Sequence, residues 1–397
     1  MKRILFISGS VGISHLIRDM AIAKALRRTV SGIDLSWLAD EPALTMLKQS
    51  GEKVLQESQQ MDHGNRILDG PEYEGYELNV MRYFFKLRKG MVENSTRILK
   101  VANDGGYDLV IGDEVFDLVD AFDKDITLKK FPCAFIFDFF AADRVSNSPY
   151  DLISTYYGNR SFVKWFKARP PIADRFLMIG DVEDFEEKRY GFFLPKRLEF
   201  AKEHLHFVGY PLLFDPKDYL DTAKVKQALG YGDEPLLICS KGSTKVGKVL
   251  FDLCFAAFPL IRKEMPNLHM VAVLGPSLHV DSVKAPDGVD MRGYVPELYK
   301  HFAAADLNIC QCGLGTTMEL IALQRPFLYF PMEKHFEHAE IAHRCKVHEA
   351  GVGMDFSRTT PQDLADAVIE NIGKKVSYKP IDTNGADRAA KVIAELI

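Results

Sequence analysis

The stretch with the most chemical content runs from Asp306 to Ala339, DLNICQCGLGTTMELIALQRPFLYFPMEKHFEHA. An apolar, strand-like run leads into Gly313-Leu314-Gly315-Thr316-Thr317, which opens a helix. Small residues let a ligand approach the backbone, and the free N–H groups and positive dipole end of a helix start suit a diphosphate. Glu319, read as lying in the first turn, can accept hydrogen bonds from both hydroxyls of a ribose. The same letters also satisfy a capping box, Thr316-x-x-Glu319, and the two readings are compatible. The next strand ends at Pro331, and Glu337 and His338 follow in a loop or helix start. Side chains placed there can reach hydroxyls of a transferred sugar; a solvated, charged helix start is the plain alternative.

A second Gly-rich turn opens the chain. Ser8-Gly9-Ser10-Val11-Gly12-Ile13-Ser14-His15 follows the first strand and begins the first helix. Beside a helix N-terminus the cationic form of His15 is disfavoured, which keeps a neutral base available; a purely structural histidine is the alternative. The spacing is not the dinucleotide fingerprint G-x-G-x-x-G, because the second glycine is misplaced. Gly242-x-x-x-x-Gly247-Lys248 looks like a phosphate-binding P-loop, but Val249 stands where a Mg²⁺-ligating hydroxyl belongs. Asp123-Lys124-Asp125 spells the acidic pair of metal-dependent sugar transferases, yet it lies in a charged, loop-like stretch and reads as solvated. No His/Cys cluster has metal-ligand spacing, so no metal is expected.

These residues need elements to hold them. Short apolar runs at 3–8, 33–38, 109–112 and 133–137 alternate with helical stretches, and the pattern restarts at 235–240, 269–274, 306–311 and 326–330. Such alternation predicts parallel sheets covered on both faces. The fold class expected is therefore α/β, with two Rossmann-like domains. The boundary falls where Gly, Pro and charge cluster near 209–218, giving domains 1–212 and 213–397, with the last helix free to pack back on the first domain. The length of 397 residues fits two domains. A 47% hydrophobic, 26% charged composition with net charge −5 argues against a nucleic-acid partner held by charge. The six cysteines contain no C-x-x-C pair. With no secretory cleavage pattern and no run of ~18 apolar residues, a cytoplasmic protein is expected. Two basic–aromatic stretches, RYFFKLRK (82–89) and RSFVKWFKAR (160–169), suggest peripheral membrane contact, or else amphipathic helices with core aromatics.

The carboxyl-terminal segment resembles the donor-binding signature of GT-B glycosyltransferases, notably the peptidoglycan N-acetylglucosaminyltransferase (MurG-like) and UDP-glycosyltransferase families. The resemblance implies two Rossmann-like domains facing each other across a cleft. It implies that Gly313, Gly315, Thr316 and Thr317 hold a diphosphate, Glu319 the ribose, and Glu337 with His338 the sugar. His338 departs from the usual Gln of those families. Gly12 of the first loop and Gly242, Ser243 and Thr244 after the first strand of the second domain would meet the donor phosphates. Backbone near Val295 would pair with the base. His15 would deprotonate an acceptor hydroxyl, with Asp113 orienting it. No cofactor is implied beyond a UDP-sugar or other NDP-sugar donor, and the acceptor, lipid-linked or small, is unspecified. Rival readings are a UDP-sugar 2-epimerase on the same fold, a P-loop hydrolase or kinase using Gly242 to Lys248, and a sugar-nucleotide sensor without turnover.

Overall fold

The inner strands arise from the uninterrupted apolar runs, which bury both faces instead of alternating. The computed structural model describes residues 1–9, 12–61, 68, 75–242 and 245–397, with the backbone only at 85, 88 and 89. They form two compact units: Met1–Ile67 with Asn79–Leu213 and Asp382–Ile397, and Leu68–Leu78 with Phe214–Ile381. The chain therefore leaves the second unit at Asp382 and returns to the first. The assignment of Leu68–Leu78 to the second unit has no counterpart in the sequence pattern.

The first unit holds β1 (Lys2–Ile7), β2 (Ile33–Leu38), β3 (Leu109–Asp113), β4 (Cys133–Phe137), β5 (Arg175–Met178) and β6 (His206–Phe207). They pair in the order β2-β1-β3-β4-β5-β6, all parallel. Helix α1 (Ile13–Thr29) follows β1, α2 (Val80–Asp104) precedes β3, α3 (Phe116–Lys124) joins β3 to β4, and α4 (Pro149–Phe166) follows β4. The last helix, Gly385–Ala394, packs on α1. Its first residue must be glycine, because a Cβ would lie 2.4 Å from the Tyr210 backbone.

The second unit holds β7 (Leu236–Ser240), β8 (His269–Val273), β9 (Val289–Arg292), β10 (Leu307–Cys310), β11 (Phe327–Tyr329) and β12 (Val352–Gly353). Their order is β12-β11-β10-β7-β8-β9, again all parallel. Helix α5 (Val249–Glu264) follows β7, α6 (Leu314–Ala322) follows β10, α7 (Phe336–Val347) follows β11, and α8 (Pro361–Asn371) packs on α5. In each sheet the strand order reverses at one point: between β1 and β3 in the first unit, and between β7 and β10 in the second. Open α/β sheets bind ligands outside the carboxyl ends of the strands at such switch points.

All six cysteines are free and buried, as small apolar side chains. Among the described residues no helix is long and apolar enough to cross a membrane.

Candidate active site

At the β1/β3 switch point the first unit builds a charge cluster. Gly12, at φ 89°, is the N-cap of α1 and, having no side chain, provides no side-chain cap. Its positive φ suits glycine. One helical turn further on, Arg18 reaches back with a bidentate grip on Asp113 at the end of β3: Nε to Oδ2 at 2.8 Å and Nη2 to Oδ1 at 2.6 Å. Its Nη1 donates to Asp138, just past β4, at 2.8 Å. His15 Nδ1 lies 3.1 Å from Asp113 Oδ2, and its Nε2 lies 3.9 Å from Glu114 Oε2. Gly9 lies against the imidazole; a Cβ there would approach Nδ1 to 3.1 Å and the Asp113 carbonyl to 3.2 Å.

The electrostatics follow from burial and pairing. Burial pushes the Asp113 carboxyl up, but the Arg18 guanidinium and then His15 overcome this and hold it well below the ordinary carboxylate range. Asp138 follows the same logic and is drawn down to about 2. The carboxyl of Asp19, hydrogen-bonded by the Ser8 hydroxyl at 2.7 Å, is raised by burial and by the nearby charge of Asp113. His15 Nδ1 also lies 2.7 Å from Arg18 Nη2, and the two contacts are exclusive. Nδ1 either donates to Asp113 or accepts from Arg18, and only the first leaves Nε2 as an accepting lone pair. His15, Glu114 and Asp138 offer ligand atoms within 4.8 Å of one another, a spacing a metal ion could use. The Arg18 guanidinium already places a positive charge on Asp138, which disfavours a second cation there.

At the β7/β10 switch point the second unit builds a different kind of site. After β10 come Gln311, then buried Cys312 at φ 59°, then Gly313 as the N-cap of α6 without a side-chain cap. Gly313, Leu314, Gly315 and Thr316 are partly exposed. The helix begins at Leu314, so Thr316 is not its cap and the capping-box reading is excluded. Glu319 consequently sits in the second turn, not the first. Its side chain is buried and, among the described residues, makes no hydrogen bond; burial alone pushes its carboxyl up to about 8. Thr317 is fully buried and spends its hydroxyl on the Gly313 carbonyl at 2.7 Å, so it has no proton to donate to a diphosphate. That expectation is corrected in favour of Thr316 and the helix N–H groups.

The glycine turn after β7 is braced from β10. The Gly242 N–H donates to Gln311 Oε1 at 2.9 Å, and Gln311 Nε2 donates to the Val246 carbonyl at 3.1 Å. Gly242 therefore has no free N–H for a phosphate, a second correction. At Gly247, φ 85°, a Cβ would fall 2.0 Å from Gln311 Nε2, so only glycine fits. Ser243 and Thr244 lie outside the described residues. Lys248 donates to the Ser282 carbonyl at 3.3 Å, away from a P-loop role.

Val295 lies half-buried in the turn after β9. Glu337 occupies the first turn of α7, whose N-cap is His335. His338 is buried against His335, with ring centroids 4.1 Å apart. Its Nδ1 accepts the Met332 N–H at 3.0 Å, and burial lowers its pKa to about 3, so it stays neutral. Only Nε2 remains for a ligand. Asp123 pairs with Lys164 at 2.6 Å and Asp125 caps the turn Ile126–Leu128, so the acidic pair is structural. Tyr83, Phe162 and Phe166 of the basic–aromatic stretches are core residues, not a surface.

Sequence reasoning assigned no role to three residues of the candidate sites. Asp138 follows the apolar run 133–137 as Asp113 follows 109–112, a parallel that could have found it. Arg18 was visible only as a neighbour of His15. Gln311 gave no signal, because an amide brace across two loops has no local spacing.

Two doubly wound parallel sheets, each with a candidate site at its switch point, define the class: an α/β protein of GT-B architecture. Residues 248–397 match the glycosyltransferase family 28 C-terminal domain. An uncharacterized glycosyltransferase of Methanosarcina mazei is 32% identical over 114 residues, which is 28% of this chain and 30% of that protein. The chain thus spans less than a third of the length of that curated relative. Along nearly the full length, the fold is similar to that of spinosyn rhamnosyltransferase SpnG complexed with spinosyn aglycone (TM-score 0.57, 16% identity, 99% of this chain and 96% of that one). It is likewise similar to Acinetobacter baumannii MurG (TM-score 0.52, 15% identity, 100% and 99%). The family match thus covers the carboxyl-terminal part of the chain, and the solved structures, at 15% and 16% identity, show the fold.

Proposed function

We propose that the chain transfers a glycosyl group from a nucleoside diphosphate sugar, such as a UDP-sugar, to an acceptor hydroxyl. The observation that carries this reading is Glu319. A buried carboxyl without a hydrogen-bond partner is costly, and this one stands one turn behind an uncapped helix N-terminus at a switch point. A ribose diol satisfies the carboxylate, and a diphosphate satisfies the N–H groups. Gly313, Gly315 and Thr316 border the phosphates, Glu337 and His338 Nε2 face the sugar hydroxyls, and the backbone at Val295 meets the base.

The first unit supplies the base. With its Nδ1 proton donated to Asp113, His15 takes the acceptor proton on Nε2. The acceptor oxygen attacks the anomeric carbon, the bond from that carbon to the phosphate oxygen breaks, and the nucleoside diphosphate departs with the electron pair. Attack opposite the leaving group inverts the anomeric centre. The helix dipole and N–H groups stabilise the leaving charge without a metal. Arg18 fixes Asp113, so Asp113 and Arg18 are positioning residues for His15.

Calorimetry with nucleoside diphosphates and their sugars tests the donor half: binding is expected, and Glu319→Gln should weaken it. No binding of any nucleoside diphosphate would sink the reading. Turnover of a cleavable donor should fall about 10²–10⁴-fold in His15→Gln, with donor affinity kept. Epimerisation of the donor without an acceptor would instead favour the epimerase.

A further inference from the structure

Glu114 stands one residue beyond Asp113, and its backbone is held in a conformation that a residue with a Cβ seldom adopts: φ is 48°. The surroundings enforce it. The Glu114 N–H donates to the Ile136 carbonyl of β4 at 2.9 Å, and the Glu114 carbonyl accepts the Phe116 N–H at 2.8 Å. Gly112 lets the turn fold back tightly, since a Cβ there would fall 2.5 Å from the Val115 side chain. Backbone strain of this kind gathers where a side chain has to be aimed.

The aim is toward the base. Glu114 Oε2 lies 3.9 Å from His15 Nε2, whereas Asp113 and Arg18 meet the other ring nitrogen, Nδ1. That separation is too long for a hydrogen bond between the two. Both side chains are mostly buried, 13% and 15% exposed. The Glu114 side chain also hydrogen-bonds Asp138, which Arg18 already holds. Two carboxyl groups joined by one hydrogen bond share one proton, so the pair carries a single negative charge, with the Arg18 guanidinium on it. Glu114 therefore presents Oε2 beside the base as a hydrogen-bond acceptor more than as a partner for a cation.

An acceptor hydroxyl bound to Nε2 spends its only proton there. Once the acceptor fills the site, Oε2 has little water to turn to, and an acceptor with nothing more to donate leaves a buried oxygen unsatisfied. We infer that Glu114 makes the acceptor site specific for a vicinal diol, as in a sugar or other polyol. One hydroxyl gives its proton to His15 Nε2 and attacks the anomeric carbon, from which the nucleoside diphosphate departs with the bonding pair. The hydroxyl on the neighbouring carbon donates to Glu114 Oε2. This rests on the transferase reading and on His15 as its base. A site built to bond a second hydroxyl rejects an acceptor that lacks it far more strongly than an apolar pocket does.

Cyclohexanol, cis-1,2-cyclohexanediol, its 1,3-isomer and cis-2-aminocyclohexanol, offered with the donor that calorimetry selects, test this as a matched set. Product is read by mass, and rate by nucleoside diphosphate release. The 1,2-diol should exceed cyclohexanol and the 1,3-diol in kcat/KM by about tenfold or more. Glu114→Met keeps length and removes both oxygens, and should bring that ratio close to one. Glu114→Gln keeps one acceptor oxygen and should restore part of it. A merely structural role would lower all the rates together and leave the ratio as it was. Circular dichroism and donor affinity check that both variants fold. The inference is overturned if cyclohexanol serves as well as the 1,2-diol, if the ratio survives in Glu114→Met, or if the amino alcohol is preferred. It is also overturned if none of the set is glycosylated while the donor binds. Failure of the transferase reading looks different, since then no nucleoside diphosphate binds at all.

Discussion

The two switch points bury carboxyl groups to a similar degree and satisfy them in opposite ways. Asp113 and Asp138 are ionised and share one guanidinium, so their charge is answered inside the first unit. Glu319 has no such partner, and burial holds it protonated until about pH 8. The first arrangement is complete before any ligand arrives and fixes the imidazole beside it. The second is incomplete and gains most from a ligand that brings hydrogen-bond donors. Their linkage to pH is therefore opposite in sign. The depressed carboxylates stabilise the fold above the ordinary carboxylate range and lose this as pH falls. The raised one favours the fold below its unfolded value of 4.5 and loses this as pH rises to about 8.

The sharpest way to break the contrast is to give the first unit a defect like that of the second. Arg18→Met keeps bulk but leaves Asp113 and Asp138 buried without their cation. Removing one partner of a buried pair costs about 3–5 kcal/mol, so urea unfolding at neutral pH should show a loss of that size. The loss should shrink toward pH 4, where the orphaned carboxyls take up protons. A loss under about 1 kcal/mol would mean that Arg18 behaves as a surface cation and that the cluster is not pre-formed.

Glu319→Gln tests the other side. Each unit of pKa displacement corresponds to about 1.4 kcal/mol, so at pH 9 the amide should be more stable than the carboxylate by about 2–4 kcal/mol. Below pH 4.5 the two chains should converge. Nucleoside diphosphate binding by the unaltered chain should strengthen as pH rises toward 8 and then level off, because ribose hydroxyls donate to the ionised form. The variant should show neither trend. Equal stability of the two chains across this window would place water or an internal donor on Glu319 and remove the distinction between the sites.

Much of the fold was legible in the chain itself, while the contrast between the two sites was not, for a physical reason. Strands read well because an apolar run covered on both faces has few alternatives. Gly12, His15 and Gly313 stood out because a turn from strand to helix leaves a local mark. Thr317 misled because a helical hydroxyl can turn back to a carbonyl four residues earlier, a choice that spacing does not reveal. Glu319, read as a first-turn carboxylate for a ribose, lies in the second turn, since the helix starts at Leu314, and its burial left no mark in the spacing.

The smallest expected effect concerns how the second site keeps its shape while incomplete. Gln311 joins the end of β10 to the turn after β7 through one accepted and one donated hydrogen bond. Gln311→Leu preserves approximate volume and removes both, at about 1 kcal/mol each, so a stability loss near 1–2 kcal/mol is expected. It also frees the Gly242 N–H. If the glycine turn serves the donor phosphates, its loosening should weaken nucleoside diphosphate binding about five- to tenfold by raising the ordering cost on binding, while the pH trend set by Glu319 stays intact. Added ligand should then recover less stability than in the unaltered chain. Affinity that is unchanged, or improved by the liberated N–H, would mean that Gln311 only ties two loops together and that Glu319 with the α6 N-terminus holds the donor without the β7 turn.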